Sequence, residues 1–268
     1  MQTLRPVYVL GGIRSPFVKS FSHYASISTQ ELLTASLKAL VETKKLQNER
    51  LGDVALGAVM KSSIHWNLSR ECVLGSGLDP RTPGFDLQRA CGTSLEAASI
   101  IALKVAAGQI ESGIAGGVDT NSDLPLEWPR SFAEKITRLN FSKSLPEKLK
   151  SLAAFRPRDI SVRLPAVVEP RTHLSMGQHC EKMVKEWKVT RAEQDELTLA
   201  SHHNAAKAYK AGFYDDLVMS FNNLKQDTLV RGDTSLEKLA KLKAVFDPSP
   251  AGTLTAGNST PLTDNKKS

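Results

Sequence analysis

From Leu95 to Ala107 the sequence carries Ala97, Ala98, Ile100, Ile101, Ala102, Leu103, Val105 and Ala106, with only Glu96, Ser99 and Lys104 as polar interruptions. A helix that is apolar on nearly every face has to be covered on every face. The segment therefore predicts a layered core with this helix inside it. Ahead of it stands the short extended run Gly84-Phe85-Asp86-Leu87, and between the two lies Leu87-Gln88-Arg89-Ala90-Cys91-Gly92-Thr93-Ser94-Leu95. A thiol in the first turn of a helix feels the positive end of the helix dipole and unpaired backbone N–H groups, which favour the thiolate. Cys91 is thus a candidate nucleophile. The competing reading is a packed structural cysteine, because free Cys is among the most buried residue types.

Strand and helix patterns alternate up to residue 124. Val7-Tyr8-Val9-Leu10 predicts a strand ending at Gly11-Gly12. Ser28 and Glu31 form a capping box, and Leu33, Leu37, Leu40 and Val41 give the helical face behind it. Val54–Val59 predicts the second strand, followed by a helix from about Asn67 to Leu74. The third strand leads into Cys91, and Ile114–Val118 is the fourth. Alternation of this kind predicts an α/β layer with a largely parallel sheet. Beyond Asp123, Pro125, Pro129, Pro146, Pro157, Pro165 and Pro170 punctuate a basic stretch that reads as an insertion. A helix follows, started by Thr190 with Glu193 and stopped by Gly212. Gly252–Asn258 reads as a short strand or a loop of small residues. The Gly11-Gly12 and Gly116-Gly117 pairs lack the G-x-G-x-x-G spacing of a dinucleotide site.

The 268 residues, 41% of them hydrophobic, suffice for a substantial core. Cys72, Cys91 and Cys180 make an odd count without metal-ligand spacing, which suits a reducing compartment and implies no metal. The N-terminus runs into the first strand without a signal-peptide pattern, and no apolar run is long enough to span a bilayer. A cytoplasmic location is the expectation. The net charge of +7 is concentrated in 130–163, where nine basic side chains face Glu134, Glu147 and Asp159. Phe132, Ile136 and Leu139, then Leu145, Leu149 and Leu152, recur there at helical spacing. Such a segment suits peripheral membrane contact, a phosphate-rich ligand or an acidic partner, or is a solvated helix face. Stacking aromatics are not interleaved with the basic residues, so no nucleic acid is expected.

Taken together, Cys91-Gly92-Thr93-Ser94, Asn67-Leu68-Ser69-Arg70, Gly116–Ser122, Met176-Gly177 and Leu254-Thr255-Ala256-Gly257-Asn258 resemble, in order, the landmarks of the thiolase family of acyl-CoA acyltransferases. The insertion before Met176 is most similar to the degradative 3-ketoacyl-CoA thiolases, including the trifunctional-enzyme type. Gln88 stands where the family commonly has a small polar residue. The resemblance implies an α/β, thiolase-like βαβαβαββ half with an inserted loop domain, and it implies that two such halves bury a helix from each between two sheets. Residues 1–123 and 247–264 would be the first half, 124–246 the loop domain and 265–268 a divergent tail. It further implies that Cys91 takes an acyl group from an acyl-CoA thioester, with its backbone N–H in an oxyanion hole. By position match, Met176, Arg231, Ala256 and Thr260 would line the coenzyme A site. Coenzyme A thioester enters as substrate, with no bound cofactor.

The family's Gly-His-Pro run, its second Cys in Cys-x-Gly-x-Gly, and its Asn-Glu-Ala-Phe segment have no counterpart here. His23, His65, His173, His179, His202 and His203 read as solvated or packing residues. The expectation is a thiolase first half with the second half absent, incomplete as a catalyst on its own. Its partners would be acyl-CoA and a homo-oligomer or a chain supplying the second half. A non-catalytic half that binds acyl-CoA or a full-length thiolase is the alternative, and a Cys91 hydrolase or redox protein a third.

Overall fold

The computed structural model describes residues 4–156, 159, 161–163 and 165–267, with side chains described to residue 263. Its elements in chain order are β1 (Val18–Lys19), α1 (Thr29–Thr43), β2 (Asp53–Gly57), α2 (Leu68–Ser76), β3 (Gly84–Leu87), α3 (Thr93–Ala106), β4 (Gly113–Ala115), β5 (Gly117–Asp119), α4 (Arg130–Phe141), α5 (Leu145–Ala153), α6 (Met176–Glu186), α7 (Arg191–Lys210), α8 (Leu236–Ala240) and β6 (Thr263–Lys267). The chain divides into two compact units, one formed by Met1–Asp123 with Val168–Ser268 and the other by Leu124–Val167. Residues 168–246, expected together with 124–167 as one insertion, pack within the larger unit.

In the larger unit β3, β2 and β4 form a parallel sheet with β2 in the middle. Every residue of β2 is buried, and the two-residue period divides them between two cores. Val54 and Leu56 join Leu32, Leu33, Leu37, Val41, Cys72 and Val73 of α1 and α2. Ala55 faces Ala97 and Ile101 of α3. The result is a helix–sheet–helix sandwich. The capping boxes Ser28–Glu31 and Thr190–Glu193 both form, and Asn67 caps α2. After α7 the chain turns at Gly212, whose φ of +72° suits glycine.

Two expectations need correction. Val7–Leu10 is not a strand, and Tyr8, Val9 and Leu10 are exposed. The antiparallel sheet that receives the N-terminal segment uses both edges of β6, for Val18–Lys19 on one side and for β5 on the other. The expected fourth strand is broken at Gly116, whose N–H donates to the Ala55 carbonyl (3.0 Å), so that β4 pairs in one sheet and β5 in the other. The apolar helix α3 is covered by the sheet on one side. It buries Thr93, Ala97 and Ile101 against the sheet, but Leu95 and Leu103 are 74% and 64% exposed because the sheet covers one side only. Among the described residues no helix is long and apolar enough to cross a membrane.

Candidate active site

Cys91 lies between β3 and α3 and is exposed, whereas Cys72 is buried and Cys180 half-buried. It precedes the N-cap Gly92, so it stands two residues before the first helical residue and outside the first turn. The turn that presents it is tightly held. Ala90 has φ +44°, a left-handed conformation that costs an L-residue roughly 1–2 kcal/mol. Buried Thr93 over-determines that conformation: its hydroxyl donates to the Ala90 carbonyl (2.7 Å) and accepts from the Arg89 N–H (2.9 Å). The Gly92 N–H donates to the Arg89 carbonyl at 3.0 Å. Strain held by surrounding bonds at a candidate nucleophile is the pattern of a functional turn. Sequence reasoning had no signal for it, since nothing marks alanine for positive φ.

Two glycines let α3 close on the sheet behind this turn. A Cβ on Gly57 would stand 2.5 Å from the Thr93 methyl, and one on Gly117 would stand 2.7 Å from Ser94 Oγ. Gln88 ties the turn to the segment after β2: its amide donates to the Val59 carbonyl (3.1 Å), while the Val59 N–H donates to Asp119 (2.9 Å). Asp119 is half-buried, and this desolvation pushes its carboxyl above the ordinary carboxylate range against the backbone bonds from Val59 and Met60. Asp86, on β3, behaves oppositely. Burial opposes its ionisation, but the Lys61 ammonium and the N–H groups of Ser69 (2.7 Å) and Leu68 (2.9 Å) outweigh it and hold the carboxyl below its usual range.

The other expected site residues lie elsewhere on the larger unit. Met176 opens α6 and is 68% exposed. Ala256 and Thr260 are exposed on either side of Gly257–Ser259. Arg231 lines a cleft of about 180 Å³ with His202, Asp233, Thr234, Lys238, Leu239, Leu242 and Gly257. Its backbone N–H donates to His202 Nδ1 at 3.2 Å. Burial, reinforced by the Arg231 and His203 charges, pushes the His202 imidazole below its ordinary value. The cleft wall includes neither Met176, Ala256, Thr260 nor Cys91.

The Thr253–Asn258 loop beside that cleft is rigidly built. Asn258 Nδ2 donates to Asp195 Oδ1 (3.0 Å) and the Thr253 carbonyl (3.1 Å), while its Oδ1 accepts from the Thr255 N–H (2.6 Å). Buried Glu181 accepts from the Thr253 N–H, the Thr253 hydroxyl and the Leu254 N–H, each at 2.9 Å. Asn258 was legible only as part of the Leu254–Asn258 run, and Glu181 and Asp195 escaped the sequence reading, because the Glu181–Thr253 and Asp195–Asn258 bonds span 72 and 63 residues. Among the described residues no group of three or more His, Cys, Asp or Glu side chains is placed to hold a metal.

Residues 7–266 match the thiolase N-terminal domain. The chain is 37% identical over 261 residues to the 3-ketoacyl-CoA thiolase of Pectobacterium carotovorum subsp. carotovorum, covering 95% of this chain and 60% of that protein. It is 36% identical over 264 residues to the 3-ketoacyl-CoA thiolase of Photorhabdus laumondii subsp. laumondii, again covering 60% of the relative. Among solved structures it is similar to the acetyl-CoA acetyltransferase of Bacillus anthracis, with a TM-score of 0.78, 25% identity and coverage of 99% of this chain and 64% of that one. The human mitochondrial 3-ketoacyl-CoA thiolase in complex with CoA gives 0.79 and 24%, with the same coverage. The chain thus spans about 60% of the length of the curated relatives it matches. With a family match across nearly its whole length and the thiolase fold in its solved neighbours, the chain belongs to the thiolase family.

Proposed function

We propose that this chain carries the acyl-accepting part of a thiolase, a 3-ketoacyl-CoA acyltransferase of fatty-acid metabolism. In this reading the Cys91 sulfur attacks the carbonyl carbon of an acyl-CoA. A new C–S bond forms to Cys91, the C–S bond to coenzyme A breaks, and coenzyme A leaves as a thiol after taking a proton. The observation that supports it is the exposed Cys91 on a turn held by Ala90 and Thr93. Met176, Arg231, Ala256 and Thr260 are the proposed coenzyme A contacts. The Arg231 guanidinium, with Lys238 in the same cleft, suits the phosphates of that ligand.

Residues 1–123 with 247–264 are proposed to correspond to the family's first half, 124–246 to its loop domain and 265–268 to a divergent tail, in a cytoplasmic setting. Claisen chemistry needs, besides the nucleophile, a base to generate it, a second acid/base group and a second oxyanion hole. The proposed partners are a homo-oligomer or a separate chain supplying the thiolase second half. The exposed Leu95 and Leu103 face of α3 is the surface it would cover. A second reading is a non-catalytic half that binds acyl-CoA or a full-length thiolase.

Acetoacetyl-CoA thiolysis separates the two. The purified chain is expected to be inactive alone, since losing single catalytic groups already costs several orders of magnitude. Activity that appears on adding a separately expressed second half, and is abolished by Cys91→Ala, supports the catalytic reading. Binding of the second half without turnover supports the non-catalytic one.

A further inference from the structure

The parallel β2–β3 ladder ends at the pair Gly57–Leu87. Beyond it the two segments stay joined through side chains. The Gln88 amide donates to the Val59 carbonyl at 3.1 Å, and Lys61 pairs with Asp86. The Val59 carbonyl belongs to the same peptide unit as the Met60 N–H. That N–H donates to Asp119, as the Val59 N–H does at 2.9 Å. A trans peptide unit is planar, with its N–H and C=O pointing in opposite directions, so fixing one end fixes the other. Asp119, at the end of β5, therefore sets the direction in which the Val59 carbonyl meets Gln88. Hydrogen bonds in such a series also strengthen one another.

The turn that carries Cys91 has further anchors, and they run to α3. The Thr93 hydroxyl holds Ala90 and Arg89, and the Arg89 guanidinium pairs with Glu96 at 2.5 Å. Gln88 immediately precedes Arg89 and ties the other end of the turn to the Val59–Met60 peptide. Asp119 is half-buried and is held by backbone N–H groups instead of a cation. An aliphatic side chain would be cheaper to desolvate there. What the carboxylate contributes is the orientation of the two amides it binds.

We infer that Asp119 is a positioning residue for Cys91, acting through the Val59–Met60 peptide and Gln88. The inference rests on Cys91 being the acyl-accepting thiol. The relay keeps the turn in one place ahead of α3, where negative charge developing on sulfur meets the positive end of the helix dipole. Without the relay the turn keeps its α3 anchors but loses its reference on the far side, and the sulfur spends less time in its reactive position.

The test is a double-mutant cycle read by the iodoacetamide rate of Cys91 in the folded full chain, with buried Cys72 followed in the same samples. Asp119→Ala removes the acceptor. Gln88→Met removes the donor at nearly constant shape, on an exposed side chain. Each is expected to slow Cys91 by about threefold or more, the scale of one hydrogen bond, while Cys72 stays protected. Both act on one relay, so the double variant should be no slower than the slower single one. Asp119→Asn keeps an acceptor for the Val59 N–H and should react within about twofold of the unaltered chain. Should Asp119→Ala unsettle the whole fold, which Cys72 would report, Asp119→Glu takes its place in the cycle, since it keeps the charge and displaces the acceptor. Multiplying effects in the double variant, an unchanged Cys91 rate in either single variant, or failure of Asp119→Asn to restore the rate each overturns the proposal. A Cys91 that is not the fastest thiol of the unaltered chain counts against the nucleophile itself, whereas the cycle judges the relay.

Discussion

A Cβ placed on Gly57 would stand 2.1 Å from the carbonyl oxygen of Leu87, its register partner across the parallel β2–β3 ladder. Backbone cannot move aside as a flexible side chain does. The only relief is to push β3, and with it the Gln88–Cys91 turn, away from β2. Gly57→Ala is expected to destabilise the chain by about 3 kcal/mol and to alter the accessibility of Cys91. Urea unfolding combined with thiol labelling measures both, and an unchanged midpoint would show that the ladder has slack.

Cys91 is expected to be the fastest-reacting of the three thiols. It is exposed at a held turn, while Cys72 lies in the core within reach of the Thr34 hydroxyl (3.4 Å). Iodoacetamide labelling of the folded chain at mildly acidic pH, read by peptide mass spectrometry, gives the order. Equal or faster modification of Cys72 or Cys180 counts against the proposed nucleophile. Ala90→Val should slow the Cys91 reaction, since a β-branched residue at φ +44° carries more strain than alanine.

Asn258 joins the 253–258 loop to α7 through Asp195. Asn258→Ala would strand the Thr255 N–H, the Thr253 carbonyl and one Asp195 oxygen, and a loss of about 2 kcal/mol is expected. Asn258→Asp keeps the acceptor for Thr255 but sets a second carboxylate against Asp195, so it should fare no better than alanine. The check is a lower denaturant midpoint at unchanged slope. Native-like midpoints in both variants would remove the loop from any account of the neighbouring Arg231 cleft.

Asp86 and Asp119 are expected to pull the pH dependence of stability in opposite directions. Asp86 titrates lower in the folded chain than in the unfolded one, so its contribution is present above the unfolded value and is lost as pH falls through the folded one. Asp119 titrates higher when folded. Its favourable contribution is present below the unfolded value and is lost as pH rises through the folded one. Asp119→Asn should therefore gain stability over the unaltered chain as pH climbs from about 3 to about 6. The deficit of Asp86→Asn should shrink as pH falls over the same range. Thermal unfolding across that range decides, and parallel profiles for both variants would contradict the opposed environments.

Local chemistry was enough to place much of the fold in the sequence. The Ser28–Glu31 and Thr190–Glu193 boxes, the Asn67 cap and the turn at Gly212 depend on residues within a turn of one another, and each forms. Cys91 was legible for the same reason, as a thiol between an extended run and a helical one. What only the tertiary structure decided depends on which surfaces meet. The α3 sequence specifies an apolar element, but only the fold shows that the sheet takes Thr93, Ala97 and Ile101 and leaves Leu95 and Leu103 uncovered. Val7–Leu10 has strand composition, but composition does not supply a pairing partner, and the segment joins neither sheet. The strain at Ala90, the Gly57–Leu87 approach and the bonds Asn258 makes to Asp195 arise from backbone and side chains brought together across the fold. Spacing along a chain reports periodicity and caps. It does not report which distant groups will be the ones to satisfy a buried amide or fill the space beside a missing Cβ.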